Sequence, residues 1–303
     1  MSQFVLPTSS QITRFLFEDL DVCGSVVQLT EAWVGMHRGR GYASRAQMLL
    51  GEMSVVASLM GANLKTSGRL TFQAQGAGPI SMMVVDCERL SEGGVLLRGM
   101  ARCAETPHDP AGLEALPLDE LLGDGTLLFS LQSEMTDMPY QSQVPLAGHN
   151  MAEIFEHFMS QSAQQPARLW LFANDTSACG LFLQTLPPRE REENADADGW
   201  NRIQQLAATV RAEELMLPPE TLLRRLFTEE TLRVFDPCPV RYYCPRDEDR
   251  VRSMLVSLGR DEVAGLIAEH GEIRIHDEIC NYEYHFGPAV LDELFPSAGH
   301  TLH

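Results

Sequence analysis

The sequence predicts an α+β protein with three parts: an N-terminal mixed domain dominated by an antiparallel-type sheet with packed helices, a helical linker, and a small α+β C-terminal module. Three observations predict it. Segments of strand composition outnumber helical ones and do not alternate regularly with them, which argues against a doubly wound parallel sheet. The stretch 189–199 has no apolar side chain larger than alanine and reads as a solvated linker. Beyond it come short amphipathic helical runs, then a terminal stretch rich in prolines, charges and turn residues. The expected divisions are 1–187, 188–234 and 235–303.

In chain order, residues 11–20 precede a strand-like segment at Cys23–Leu29. Met48, Leu49, Met53, Val56, Leu59 and Met60 recur at helical spacing and predict a buried helix over 43–62. Strand signals follow at 70–75, 80–85, 94–101 and 126–131, with turns at Gly76-Ala77-Gly78-Pro79, Glu92-Gly93-Gly94 and Gly123-Asp124-Gly125. Asn150 is placed to cap a helix over about 150–162. Strands at 167–172 and 180–186 lead to Pro187-Pro188, which closes the domain. From 200 to 230 the apolar residues return to helical periodicity, interrupted at Pro218-Pro219. The terminal module reads as a helix at 251–258, a second helical run ending at Gly271, and a hairpin from Glu272 to Phe286.

Composition removes several function classes. Lys+Arg total 23 against Asp+Glu 42, a net charge of −19, and such a surface repels phosphate backbones and anionic lipids. Nucleic-acid and membrane partners are therefore not expected. The start has no signal-peptide pattern and no apolar run reaches the length of a membrane span, so a cytoplasmic protein is expected. Seven cysteines are too few for a disulfide scaffold and odd in number. Cys23, Cys87, Cys103 and Cys179 sit singly in apolar surroundings and read as small buried hydrophobes. Cys238, Cys244 and Cys280 lie among polar and turn residues and stand apart.

No enzyme is expected. Gly76-Ala77-Gly78-Pro79 runs from strand to strand without a Lys-Ser/Thr continuation, so it reads as a hairpin turn and no nucleotide is expected. There is no Gly-x-Ser-x-Gly elbow and no His-Glu-x-x-His pair. Among the nine histidines only His276, four residues before Cys280, lies close to other metal-ligand types.

Several short stretches in order carry a resemblance: Arg14-Phe15-Leu16-Phe17-Glu18, Gln75-Gly76-Ala77-Gly78-Pro79-Ile80, Arg98-Gly99-Met100-Ala101, Phe158-Met159-Ser160-Gln161-Ser162-Ala163-Gln164-Gln165-Pro166, and Gly180-Leu181-Phe182-Leu183-Gln184-Thr185-Leu186-Pro187. With the terminal Cys244-Pro245-Arg246 and Asp277-Glu278-Ile279-Cys280, they make the chain resemble the 33 kDa chaperonin family almost end to end. That resemblance implies a redox-regulated, ATP-independent holdase that binds unfolding client proteins under oxidative or heat stress, with a monomer–dimer equilibrium. It also implies four zinc thiolates in a Cys-x-Cys and Cys-x-x-Cys pattern, which oxidants convert into two near-neighbour disulfides, releasing zinc and unfolding the module. Here Arg246 stands at the second cysteine position and Asp277 at the third. Neither family disulfide has both its members.

Three readings of this remnant are open. Zinc persists through Cys244, Cys280, Asp277 and either Cys238 or His276. Alternatively, Arg246 and Asp277 form an ion pair where the metal was. Or Cys244 and Cys280 form one disulfide, which would lock the module rather than unfold it. In all three, client binding is expected on apolar faces of the first domain and the 200–230 helices, with Trp200, Ile203, Leu206, Met216, Leu222 and Phe227 as candidates. The alternative function is a dedicated partner-binding protein that keeps this fold without general holdase activity.

Overall fold

The computed structural model describes residues 9–103, 113, 116–133, 138–163, 165–187, 196 and 198–296, so the acidic stretch 189–199 and Pro188 fall largely outside the described residues. The chain divides into two compact units, Met1–Tyr243 and Cys244–His303. The expected division at 234/235 is displaced because residues 235–243 carry a strand that belongs to the large sheet.

That sheet has eleven strands: β1 (Gln11–Phe17), β2 (Val22–Leu29), β3 (Gly68–Gly76), β4 (Ile80–Arg89), β5 (Val95–Cys103), β6 (Gly125–Ser133), β7 (Tyr140–Pro145), β8 (Ala167–Ala173), β9 (Ala178–Thr185), β10 (Leu232–Val234) and β11 (Cys238–Tyr242). Their order is β7-β6-β3-β4-β5-β11-β1-β2-β9-β8, with β10 also paired to β1. Every pairing is antiparallel except β11 with β5. The mixed, mainly antiparallel sheet agrees with the sequence expectation.

Helix α2 (Ser44–Ala62) is apolar on nearly every side, and it is buried accordingly. It lies against β3, β4, β5, β8 and β9, so closely that a Cβ on Gly61 would sit 2.1 Å from Cys87 Sγ. Two helices add to this layer: the short α1 (Glu31–His37), which the sequence did not signal, and α4 (Met151–Ala163). Asn150 does cap α4. Its Oδ1 accepts from Glu153 N at 2.9 Å, and Glu153 Oε2 accepts from His149 N at 2.8 Å.

The Gly76–Pro79 turn joins β3 to β4 as a hairpin, and its glycines have a packing reason. The short α3 (Leu118–Leu122) ends against it. A Cβ on Gly76 would meet Leu122 O at 1.9 Å, and Gly78 N donates to that carbonyl at 2.9 Å.

The unit has two apolar cores on opposite faces of β1–β2–β9. Ile12, Val27, Leu29 and Phe182 face the α2 side with Trp33, Leu50, Met53 and Phe72. Phe15, Phe17, Val26, Cys179, Leu181 and Leu183 face the other side, where α5 (Gly199–Ala207), a 3-10 turn at Glu214–Met216 and α6 (Pro219–Leu226) cover them. The segment read as a linker is thus half of a second core.

The second unit is smaller. It holds α7 (Glu248–Leu258), α8 (Arg260–His270) and the hairpin β12 (Ile273–Asp277) and β13 (Tyr282–Phe286), matching the two helices and hairpin expected there, and in addition α9 (Val290–Leu294), which the sequence did not signal. Among the described residues its core holds seven buried apolar side chains: Leu255, Val263, Ile267, Ile273, Tyr284, Phe286 and Val290. So small a core seldom holds a domain without a cross-link or a metal.

One buried charge matters to the first unit. Register places Thr71 and Arg98 directly opposite Asp86, and Arg69 also reaches its carboxylate. Burial alone would raise the Asp86 pKa, but hydrogen bonds from Arg69 and Thr71 and the charges of Arg69 and Arg98 outweigh it and hold it below the usual carboxylate range. A depressed folded pKa contributes stability that is fully present above the unfolded value of about 4 and is lost as pH falls through the folded value. Asp86→Asn should therefore cost about 2 kcal/mol at neutral pH, less than a fully buried pair because both arginines still reach water. It should also flatten the acid limb of stability below about pH 4, which denaturant titrations at several pH values would read.

Candidate redox site and client-binding face

The terminal unit is closed at the turn between β12 and β13. Cys244 and Cys280 form a disulfide with Cα atoms 5.5 Å apart, across 36 residues of sequence. Asp277 Oδ1 accepts from Cys280 N at 3.0 Å, and Asn281 takes a positive φ of 50° to complete the turn. Arg246 lies over the Tyr282 ring, its Cζ 3.9 Å from the centroid. Tyr282 packs edge-on to Tyr284 at 4.9 Å, and the Tyr284 hydroxyl accepts from Asp247 N at 3.0 Å. One aromatic column on β13 thereby fixes the chain on either side of Arg246.

Among the three sequence readings, the disulfide is the arrangement present. No ion pair joins Arg246 to Asp277 among the described residues, because the guanidinium stacks on Tyr282 and the carboxylate caps the turn. The set proposed for zinc does not assemble. Cys244 and Cys280 are bonded to each other, Arg246 has no lone pair to give, and Asp277 is engaged by the backbone. His276 is exposed on β12 opposite Glu283. Cys238 belongs to β11 in the other unit, with its Sγ 3.9 Å from Arg89 Nη1. No group of three or more ligand-type side chains comes together among the described residues. Bonded to each other, Cys244 and Cys280 offer no thiolate to a metal. Sequence reasoning missed Tyr282 as the partner of Arg246; an Arg two residues past one cysteine and a Tyr two past the other was the available clue.

The other cysteines divide by burial. Cys87 and Cys179 are buried, and burial pushes the Cys179 thiol up to about 12 and Cys87 higher still. Cys23 and Cys103 are only half-buried, though burial raises both.

All six client-binding candidates lie in the second core. Ile203, Leu222 and Phe227 are buried there, and Trp200, Leu206 and Met216 are partly buried. Phe227 touches Phe15 and Phe17 with ring centroids 6.2 and 5.1 Å apart. Sequence reasoning missed the sheet side of this face: Phe15, Phe17, Val26, Leu181 and Leu183. The alternation of Phe15 and Phe17 with Arg14 and Leu16 was its only signal. It also missed Gln28, which is fully buried and donates through Nε2 to Leu215 O at 2.8 Å and Leu217 O at 2.7 Å, tying the 3-10 turn to β2.

A family model described as Hsp33 protein matches residues 10–287. The 33 kDa chaperonin of Methylobacillus flagellatus is 35% identical over 95% of this chain and 94% of its own length. That of Pseudomonas aeruginosa is 37% identical over 96% of both chains. A crystal structure of the 33 kDa chaperonin (heat shock protein 33 homolog) from Thermotoga maritima shares the fold at a TM-score of 0.76 and 22% identity, covering 94% of this chain and 97% of that one. The chain belongs to the Hsp33 family, whose members are redox-regulated heat-shock holdases and not enzymes.

Proposed function

We propose that this protein is an ATP-independent cytoplasmic holdase that binds unfolding proteins on the β1–β2–β9 face and the apolar sides of α5 and α6, with its terminal unit closed by Cys244–Cys280 in place of zinc. The observation that carries the reading is the second core. A segment of short, proline-interrupted helices covers a continuous apolar sheet face that would be exposed if the segment lifted. Exposed apolar patches of that kind are where aggregation-prone chains are held. Short helices have little stability of their own, so their seating depends on packing and is lost on heating.

Closure of the terminal unit has a different chemistry from that of the family's four-thiolate site. A bridge across 36 residues stabilises the folded unit by about 4 kcal/mol in the chain-entropy account. In a reducing compartment the pair rests as two thiols, and oxidation then fastens the unit instead of opening it. Exposure of the client face is left to heat.

Light scattering from a thermally unfolding client should be suppressed on heating by the dithiol-treated and the oxidised chain alike. Suppression that strictly requires oxidation would overturn the altered switching, and no suppression by either form at any temperature would overturn the holdase. Phe227→Ala removes the ring seated on Phe15 and Phe17 and should cost about 3–5 kcal/mol of local packing, lowering the temperature at which suppression begins. For the terminal unit, a chelator should leave thermal unfolding unchanged. A dithiol should lower its midpoint by on the order of 15 °C or more, as read by hydrogen exchange in residues 244–296.

A further inference from the structure

The turn Glu214–Met216 is the narrowest hold on the covering segment, and its chemistry differs on its two sides. On one side Gln28 Nε2 donates to the carbonyls of Leu215 and Leu217. On the other, Met216 Sδ lies 2.9 Å from Ser177 Oγ and 3.4 Å from Cys179 Sγ. Gln28 and Cys179 are directly opposed across the β2–β9 pair, so both holds bear on one cross-strand pair. The Ser177 hydroxyl has two acceptors in reach, the Met216 thioether at 2.9 Å and Asn174 Oδ1 at 3.2 Å, and the thioether is the nearer. Burial keeps Cys179 protonated, so its S–H is a second donor.

A thioether sulfur has two lone pairs, and in the seated turn both are met. Seated, the sulfur is shielded by these contacts, and lifting the turn bares it to an oxidant. Lifting breaks the two Gln28 bonds, and part of that cost is offset because Gln28 Oε1, buried without a partner while the turn is seated, gains water when it opens. An oxygen added to sulfur would stand between Met216 and the fully buried Ser177, where 2.9 Å leaves no room for it.

We propose that Met216 is an oxidant-modification site: a two-electron oxidant of the peroxide class converts its thioether to the sulfoxide when the Glu214–Met216 turn lifts, and the added oxygen prevents the turn from reseating. In the reaction the sulfur attacks one peroxide oxygen, an S–O bond forms and the O–O bond breaks. Sulfur gives up two electrons, and the departing hydroxide takes a proton and leaves as water. Heat opens the segment and the oxidant holds it open, so an oxidant input enters through a thioether of the first unit. The consequence for client binding rests on the reading of the β1–β2–β9 face given above.

The test uses the full chain treated with hydrogen peroxide, with and without mild heating, then cooled and freed of oxidant. Peptide mass spectrometry reads oxygen addition at Met216 among the fourteen methionines, and hydrogen exchange reads protection of residues 199–227. Sulfoxide at Met216 should accumulate mainly on heating, and protection should stay low after cooling. Gln28→Leu removes both hydrogen bonds and should speed Met216 oxidation about tenfold without heating. In Met216→Leu, a swap of similar volume, peroxide should no longer change the protection of the segment. Full recovery of protection despite Met216 oxidation, or an equal peroxide effect in Met216→Leu, would overturn the proposal. Lasting release without suppression of client aggregation would uphold the modification site and overturn the client-face reading.

Discussion

Both faces of the β2–β9 strand pair are apolar, and most of the architecture answers that constraint. Residues alternate along a strand, so Val27, Leu29 and Phe182 require cover on one side while Val26, Leu181 and Leu183 require it on the other. The first demand is met by α2, a long helix apolar all round and held by close backbone approach at Gly61. The second is met by short helices with a strong polar side and a break at Pro218-Pro219. One cover is integral to the sheet. The other is assembled from pieces that depend on their seat.

Much of this was legible in the sequence because it is local. The α2 stripe, the cap at Asn150, the hairpin at Gly76–Pro79 and the first two terminal helices and their hairpin each rest on nearby residues. The illegible parts are non-local or polar. β7 reads Tyr-Gln-Ser-Gln-Val-Pro and, as an end strand of the sheet with one neighbour, carries almost no apolar alternation. β11 is a five-residue strand whose place between β5 and β1 is set by partners more than 140 residues away in sequence, and it moves the unit boundary past Tyr242. Gln28 sits within an apolar strand and gives no sign that its amide bridges to residues 215 and 217. At the cysteine remnant, family likeness directed attention to Cys244, Arg246, Asp277 and Cys280, but the stack of Arg246 on Tyr282 depends on hairpin register, which spacing alone does not provide.

The terminal unit illustrates how a small domain is held by several dispersed contacts. Seven buried apolar side chains give it little hydrophobic reserve. A tetrahedral metal centre would gather four chain positions at once. In this unit a covalent bond joins Cys244 to Cys280, Arg246 stacks on Tyr282, and Asp277 caps the turn. These contacts are dispersed along β13 and its turn, so the loss of any one weakens the unit without removing the others.

The return of β10 and β11 to the large sheet gives the covering segment a particular mechanical character. It is bounded by β9 before it and β10 after it, and both are hydrogen-bonded into the same sheet. A segment fixed at both ends is a loop and not a free arm. Once lifted it stays within reach of the face it left, at an effective concentration set by its own length. Anything bound there therefore competes with an intramolecular rival that never diffuses away. On the client-binding reading proposed above, release of a held chain then needs no external motor: the segment's return displaces it as soon as conditions again favour the seated helices.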